Sequence, residues 1–384
     1  MAHQDIQENQ DIQSSDTQVE KNLKYYTASQ WQLVWWRFRR HRMAMFGGCV
    51  LLIMVVMGAF PGFFGPYNGT TRDADYVLGP PQMMKFWDAN GASFRPFIHG
   101  ITTSRDPVTL RKIATTDPDV RHYVHFFVAG EEYSVLGLFK SKLRLFSLNG
   151  AKIHLFGTDD LGRDLYSRTL IGTGTSISIG VIGVILSFIL ALIIGGIAGY
   201  FGGLIDQFIQ RTTEIVRVVP VIPLFMGLAA AFPKDWSNIQ VYFAITIVLG
   251  LIGWPTLARR IRGHLLSQKN EDYVLAAKLA GAKPARIISK HLLPSFTSYI
   301  IVDLVITFPY AILSETALSF IGLGLRAPSV SWGILLQDAQ NIRAIEQAPW
   351  LFIPALFVIV AVLAFTFLGD GLRDAADPYT VSEG

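Results

Sequence analysis

Glu271-Asp-Tyr-Val-Leu-Ala-Ala-Lys-Leu-Ala-Gly281-Ala-Lys-Pro-Ala-Arg-Ile-Ile-Ser-Lys-His-Leu-Leu-Pro294 is a charged, helix-forming stretch between two long apolar runs. Ala276, Ala277, Leu279 and Ala280 give it a small-residue helical face. Gly281 permits a left-handed backbone turn that a side chain would oppose. Ile287, Ile288, His291 and Leu292 then recur at helical spacing, with Arg286 beside them. Pro294 ends the hydrogen-bond ladder before the next apolar run. The predicted unit is helix, hinge, helix: a rigid knob that a membrane protein presents to something in the cytosol.

The surroundings fit that reading. Hydrophobic residues make up 51% of the chain and charged residues 16%, with a mean hydropathy of +0.37, which places it among membrane proteins. Six apolar runs are long enough to cross a hydrocarbon core of about 30 Å. They lie near Met43–Phe60, Ser176–Tyr200, Ile209–Phe232, Val241–Ala258, Phe296–Phe320 and Leu351–Leu368. The first follows too long a polar stretch for a secretory signal and is expected to be retained. Arg37, Arg39, Arg40 and Arg42 precede it, and a second basic cluster from Arg259 to Lys290 fills the loop between spans four and five. By the positive-inside rule both termini and the Gly281 loop are expected in the cytosol, and the long segment after span one outside. The net charge of +4 is accounted for by these basic edges, with no need for nucleic acid. The single cysteine, Cys49, excludes an internal disulfide.

Along the chain, residues 1–22 are polar and read as a disordered cytosolic tail. Over 23–42, Trp31, Val34, Trp35 and Phe38 fall on one face of an interfacial amphipathic helix. Span one occupies 43–65. Residues 66–156 read as a small external (periplasmic) α+β insertion, in contact with a delivery protein or bracing the membrane domain. Two hairpins are expected there: Lys142–Leu148 with Ala151–Phe156 across Asn149-Gly150, and Tyr123–Val128 with Tyr133–Phe139 around Ala129-Gly130. Residues 157–172 suggest a short external amphipathic helix, capped by Thr158 or Asp159, with Arg163 and Asp164 paired across it. The remaining core, 173–378, holds the other spans and the loop 259–294, and 379–384 is a tail.

The Gly281 segment resembles the EAA loop of ABC-importer permeases, in which E-A-A, three residues, Gly, nine residues and I-x-L-P recur. Here Leu275 stands in place of Glu and His291 in place of Ile, while Ala276, Ala277, Gly281 and Pro294 keep the spacing. Gly157-Thr-Asp-Asp-Leu-Gly-Arg-Asp164 is similar to the motif before the second span in the C-type permease of dipeptide and oligopeptide importers. Ser314-Glu-Thr-Ala-Leu-Ser-Phe-Ile-Gly-Leu-Gly-Leu325 and Gly369-Asp-Gly-Leu-Arg-Asp-Ala-Ala-Asp-Pro378 are similar to the same group. The resemblance implies a type I importer fold: an all-α membrane protein of six transmembrane helices. It also implies a bacterial inner-membrane location, a second permease subunit, two cytosolic ATP-binding subunits and a periplasmic substrate-binding protein. ATP and Mg would sit on the partner subunits, and no cofactor on this chain. In the family the loop docks into a groove of the ATPase, which assigns coupling to Ala276, Ala277, Leu279, Gly281, Arg286, Ile287, His291 and Pro294.

Within the spans, Gly195, Gly199 and Gly203 are spaced by four and predict close helix packing. Arg211, Glu214 and Arg217 read as an interfacial ion-pair ladder. Pro220, Pro223 and Pro309 are expected to bend their helices. Glu315 and Asp303 are the acidic residues expected near a translocation path, since carboxylates within a membrane are functional by default. No G-x-x-x-x-G-K-[ST] phosphate loop, H-E-x-x-H pair or G-x-S-x-G elbow occurs, so the chain is expected to be no enzyme and to bind no metal. The rival readings are a secondary transporter and a membrane-anchored enzyme or receptor. The same importer type also serves oligosaccharides, opines and metal chelates.

Overall fold

The computed structural model describes residues 29–376, apart from 89–90, 106–111, 136, 234 and 342–345. The expected disordered tail 1–22, the start of the interfacial helix and the tail 379–384 lie outside the described residues.

Helix α1 (Gln30–Arg40) begins at a capping box in which the Ser29 hydroxyl accepts from Gln32 N and the Gln32 side chain accepts from Ser29 N. His41 breaks the helix and its Nδ1 accepts from Ala44 N at 3.1 Å, so it caps α2 (Arg42–Ala59), the first apolar helix. A short turn of helix, α3 (Pro61–Phe64), ends that span. The long α4 (Leu165–Phe201), α7 (Asn238–Gln268), α10 (Thr297–Phe320) and α12 (Ile353–Ala376) follow the insertion. Among the described residues, five helical stretches are long and apolar enough to cross a membrane, or six if one bent pair counts as a single span.

That pair corrects the expected third span. Instead of one helix over Ile209–Phe232, α5 (Gly203–Val218) and α6 (Val221–Ala231) meet at an 80° bend. Val219 is held extended before Pro220, which lacks an N–H and disfavours helical geometry in the residue before it. Pro223 sits in the first turn of α6, where a missing N–H costs nothing, and α10 runs on through Pro309.

Helices α4 and α7 form the most intimate pair and run parallel. A Cβ built at Gly195 would lie 2.5 Å from the Ala258 carbonyl oxygen, and one at Gly199 would lie 2.7 Å from Leu265 Cβ. Gly203, in contrast, has open space around it and a φ of +57°. The expected three-glycine stripe is therefore two packing residues and a hinge: with Gly202 at φ +68°, Gly203 turns the chain from α4 into α5. On the other flank α2 meets α4 at Gly58 and Gly174, and α12 closes the bundle against α2 and α10 through Leu51, Phe308, Ala361 and Phe365.

The insertion is an antiparallel sheet in the order β1 (Lys85–Asp88), β2 (Gly91–Arg105), β3 (Lys112–Val135), β4 (Phe139–Leu148). Both expected hairpins are misplaced. Gly130 lies inside β3, and its turn duty falls to Gly137 at φ +74°. Gly130 has a different task, since a Cβ there would come within 2.8 Å of the Arg144 side chain. After Asn149-Gly150 the chain does not return as a strand. Ile153 instead turns under the sheet, fully buried with Ile98, Val124, Phe146 and Leu148. The separate helix expected over 157–172 is also absent: residues 157–164 form turns, and the helix that starts at Leu165 is already the second span.

The sheet stands at one end of the bundle. The segment from Lys269 to Ser295, α1 and the end of α12 share the other end, where a Cβ at Gly371 would touch Ala44 and His41. The Arg211–Glu214 pair of the expected ladder, 2.8 Å apart, is exposed on α5.

Candidate coupling surface and polar ties of the bundle

Helix α8 (Asp272–Leu279) ends in a Schellman cap. Gly281 N donates to Lys278 O and Ala282 N to Ala277 O, both at 3.0 Å, with Gly281 at φ +77°. The accompanying apolar contact is supplied by Ala277 and Ala282, both packed on one cluster. Lys283 then starts α9 (Pro284–Ile287), whose proline occupies the position where no N–H is needed. A π-turn over Ile288–Leu292 leads through Pro294 to α10.

Two kinds of residue alternate along this segment. Val274, Ile287 and Leu292 are buried against Ala258, Ile261 and Leu265 of α7 and Ala191 of α4. Leu279 is 90% exposed, and Leu275, Ala276, Ala280, Arg286 and Pro294 are exposed beside it. His291 is half-buried. Of the residues expected to couple, the structure therefore brings Ala276, Leu279, Gly281, Arg286 and Pro294 to the surface. Ile287 and, in part, Ala277 hold the knob to the spans. The knob is seated on α4 and α7, the same pair that Gly195 and Gly199 bring into contact.

Glu315 is fully enclosed. Its oxygens accept from Ser176 Oγ of α4 at 2.9 Å and Ser319 Oγ at 2.8 Å, and Ser331 also bonds it. Ser331 in turn caps α11 (Trp332–Asp338), and Ser176 Oγ accepts from Trp332 N. The carboxylate thus fastens α4, α10 and α11 together. Gly324 and Gly333 leave the space Ser319 needs, since a Cβ at either would lie within 2.5 Å of its side chain. Asp303 is ion-paired with Arg260 of α7 and lines a cavity at the α1 end, and Asp206 of α5 is paired with Arg262.

Several ties escaped the sequence reading. The buried Asp159 accepts from Leu161 N, Arg163 N and the side chains of Arg163 and Arg168. Both arginines also reach Asp338 of α11 at 3.5 Å. Arg163 is thus paired with Asp159 and Asp338, and Asp164 has other work. It caps α4 by accepting from Ser167 N at 2.7 Å, and its second oxygen meets His154 Nδ1 at 3.0 Å. His154 Nε2 faces Asp73 at 3.3 Å. Fully buried Arg144 donates to the carbonyls of Gly62, Gly65 and Glu131 and to Asn68 Oδ1, which pins β4 to the end of the first span. The partners of Arg144 at the end of the first span, Gly62, Gly65 and Asn68, and the Asp73 partner of His154 lie more than 70 residues away, and no local spacing signals them.

His154 makes the root of the sheet sensitive to pH. Burial acts to lower its pKa, but the bonds to Asp164 and Asp73 outweigh burial and raise it above the ordinary 6.5. The hydrogen bond from His154, opposed by burial and aided by Lys152, holds Asp73 down to about 2 from 3.8. The aromatic rings of Tyr67 and Tyr76 complete the surroundings of His154. A raised histidine contributes stability in full below 6.5 and loses it as pH rises through its folded value. The depressed Asp73 contributes above 3.8 and loses that contribution as pH falls through about 2. Amide-exchange protection of the Asp164–Ser167 turn is accordingly expected to peak between these limits. His154→Gln should flatten the basic limb; an unchanged profile in that variant would remove the assignment.

The comparisons with known proteins agree with this geometry. The family model for the binding-protein-dependent transport system inner membrane component matches residues 191–381. That for the N-terminal transmembrane domain of oligopeptide transport permease C matches residues 29–81. The interval between them contains the entire sheet. The oligopeptide transport system permease protein OppC of Bacillus subtilis is 41% identical over 229 residues, 59% of this chain and 72% of that protein. The dipeptide transport system permease protein DppC of the same organism is 42% identical over 227 residues, covering 59% and 68%. OppC of Haemophilus influenzae is 41% identical over 226 residues, covering 59% and 70%. With its broken third span, its capped Gly281 knob and these relatives, the chain belongs to the multi-pass inner-membrane permeases of binding-protein-dependent transport, in the C-type branch of the dipeptide and oligopeptide systems.

Proposed function

We propose that the chain forms, with a second permease, the path by which peptides or related small solutes enter the cell, and that its Gly281 knob couples that path to ATP hydrolysis on two partner subunits. The observation that carries this reading is the division of labour in the Asp272–Pro294 segment. Leu279, Ala276 and Arg286 are offered outward, while Val274, Ile287 and Leu292 are fixed to α4 and α7. A partner that moved the knob would move those two spans with it. Energy enters as differential binding: a contact of equal strength in two states shifts neither.

In this reading the α1 end faces the cytosol, ATP and Mg act on the partner subunits, and a substrate-binding protein delivers solute at the sheet end. The names of the relatives support peptides over oligosaccharides, opines or metal chelates. The exposed apolar residues Leu204, Phe208, Ile215 and Val218 of α5 support a neighbouring permease at that helix. Glu315 is read as the fastening of the outer helices, since its oxygens are all engaged by hydroxyls; Asp303 remains the acidic residue that meets open space.

The test is gentle affinity purification of the full chain from its native membrane, followed by mass spectrometry of what accompanies it. Recovery of a second permease and P-loop ATPases is expected, with a peptide-binding protein retained in peptide-supplemented buffer. A stable, folded chain recovered alone would overturn the reading in favour of a secondary transporter.

A further inference from the structure

The exposed side of the first span does not stop where the span stops. Gly47, Leu51 and Met54 of α2 are buried in the bundle, while Ile53, Val56 and Phe60 are exposed at intervals of three and four residues. On a membrane span such a stripe is the side that meets hydrocarbon. One turn later Phe63 of α3 carries the stripe onward, and its ring lies 6.4 Å from that of Phe127 in β3. Phe127 is 66% exposed, and Phe126 before it 52%. The backbone of Phe127 stands at φ +54°, a left-handed conformation that a bulky side chain seldom adopts. An uncovered aromatic ring and a strained backbone thus coincide at one residue. Strain of this kind persists where the surroundings impose it, and it gathers at sites that bind.

We propose that Phe127 is a membrane anchor of the sheet, its ring resting with Phe60 and Phe63 at the boundary of headgroups and acyl chains in the leaflet at the sheet end. Aromatic and apolar side chains settle at that level. The sheet is held there by its own contacts with the first span. The Tyr133 ring fills the space beside Gly62, Arg144 donates to the carbonyls of Gly62 and Gly65, and Ser134 and Gly137 share a cavity with Gly58 and Ala59 of α2. Continuity selects lipid over a protein partner. Ile53, Val56, Phe60, Phe63 and Phe127 form an extension of a face already in hydrocarbon, with none of the polar side chains by which a protein surface would be read. Anchored in this way, the sheet keeps a fixed tilt to the bilayer. The inference rests on the membrane location of the chain and is independent of what it transports.

The experiment uses the full chain, with whatever subunits accompany it, in phosphatidylcholine nanodiscs. The photoreactive analogue p-benzoylphenylalanine at Phe127 preserves an aromatic ring, and a second protein carrying it at Phe60 is the reference. After illumination, mass spectrometry is expected to find a phospholipid adduct at both positions. A second measurement leaves no dependence on one variant. Phe127→Cys in a Cys49→Ala background is labelled with an environment-sensitive fluorophore. Its emission should be lost to phosphatidylcholine spin-labelled near the headgroup, less to lipid labelled at the chain end, and not to aqueous iodide. A protein adduct at Phe127, a lipid adduct at Phe60 alone, or quenching by iodide without quenching by lipid would each overturn the proposal.

Discussion

Under the proposed coupling, replacing Gly281 by valine is expected to lower uptake about 5- to 30-fold while hydrolysis by the proposed ATPase subunits continues. The effect is one of backbone conformation. Gly281 sits at φ +77° and a Cβ there would meet no atom within 4 Å, so space is available and only the left-handed geometry is penalised. For a β-branched residue that penalty is about 1–2 kcal/mol, which corresponds to the range given. The Schellman bonds from Gly281 N and Ala282 N would open, and Leu279 would no longer stand at a fixed angle to Ile287. Gly281→Asn is the control, because asparagine tolerates the left-handed region, and it should stay close to wild type. Transport and ATPase rates of the reconstituted complex decide the matter. Wild-type uptake in the valine protein would remove Gly281 from the coupling route.

Gly195→Leu is expected to have the larger structural effect: loss of most of the assembled protein. Even the first atom of a side chain would lie 2.5 Å from the Ala258 carbonyl oxygen and 2.9 Å from its Cα. Helix α4 is not free to yield, since it is also held by Gly174 against Gly58 and by Ser176 against Glu315. Overpacking of this kind costs about 1–3 kcal/mol for an added methyl and more for a longer chain. Gly263→Ala, on α7 but with nothing within 4 Å, should be neutral or slightly stabilising. Heat resistance and yield of the purified complex provide the measurement. A Gly195→Leu protein as stable as wild type would show that α4 and α7 do not need their close approach.

What could be read from the sequence was what repeats or stands alone in character. Runs of apolar residues announce spans, because a bilayer demands about 20 of them in succession. The one long run that misled, Ile209–Phe232, contains Val219-Pro220, and only the surrounding packing decides whether such a proline tilts a helix or divides it by 80°. Gly281 was legible because an isolated glycine after an alanine-rich turn has few other uses. Gly130 and Gly150 were not, since one makes room for Arg144 and the other ends a strand that has no returning partner. The stripe of Gly195, Gly199 and Gly203 was two-thirds correct, and its last member failed where α4 ends. Arg144, His154 and Asp338 were invisible because each is a lone polar residue whose partners come from distant segments. Burial, which makes such residues matter, is not a property of spacing.

Trp350 donates its indole N–H to the carbonyl of Thr158 across 192 residues of chain, and Arg168 waits in the same way for Asp338. A ribosome adding about 5–20 residues each second needs about 10–40 s to deliver those partners. For that interval the mouth of the second span has emerged with its sheet but without its closing contacts. Assembly is therefore ordered in time: the last span to leave the ribosome completes a joint that the first half of the chain had begun.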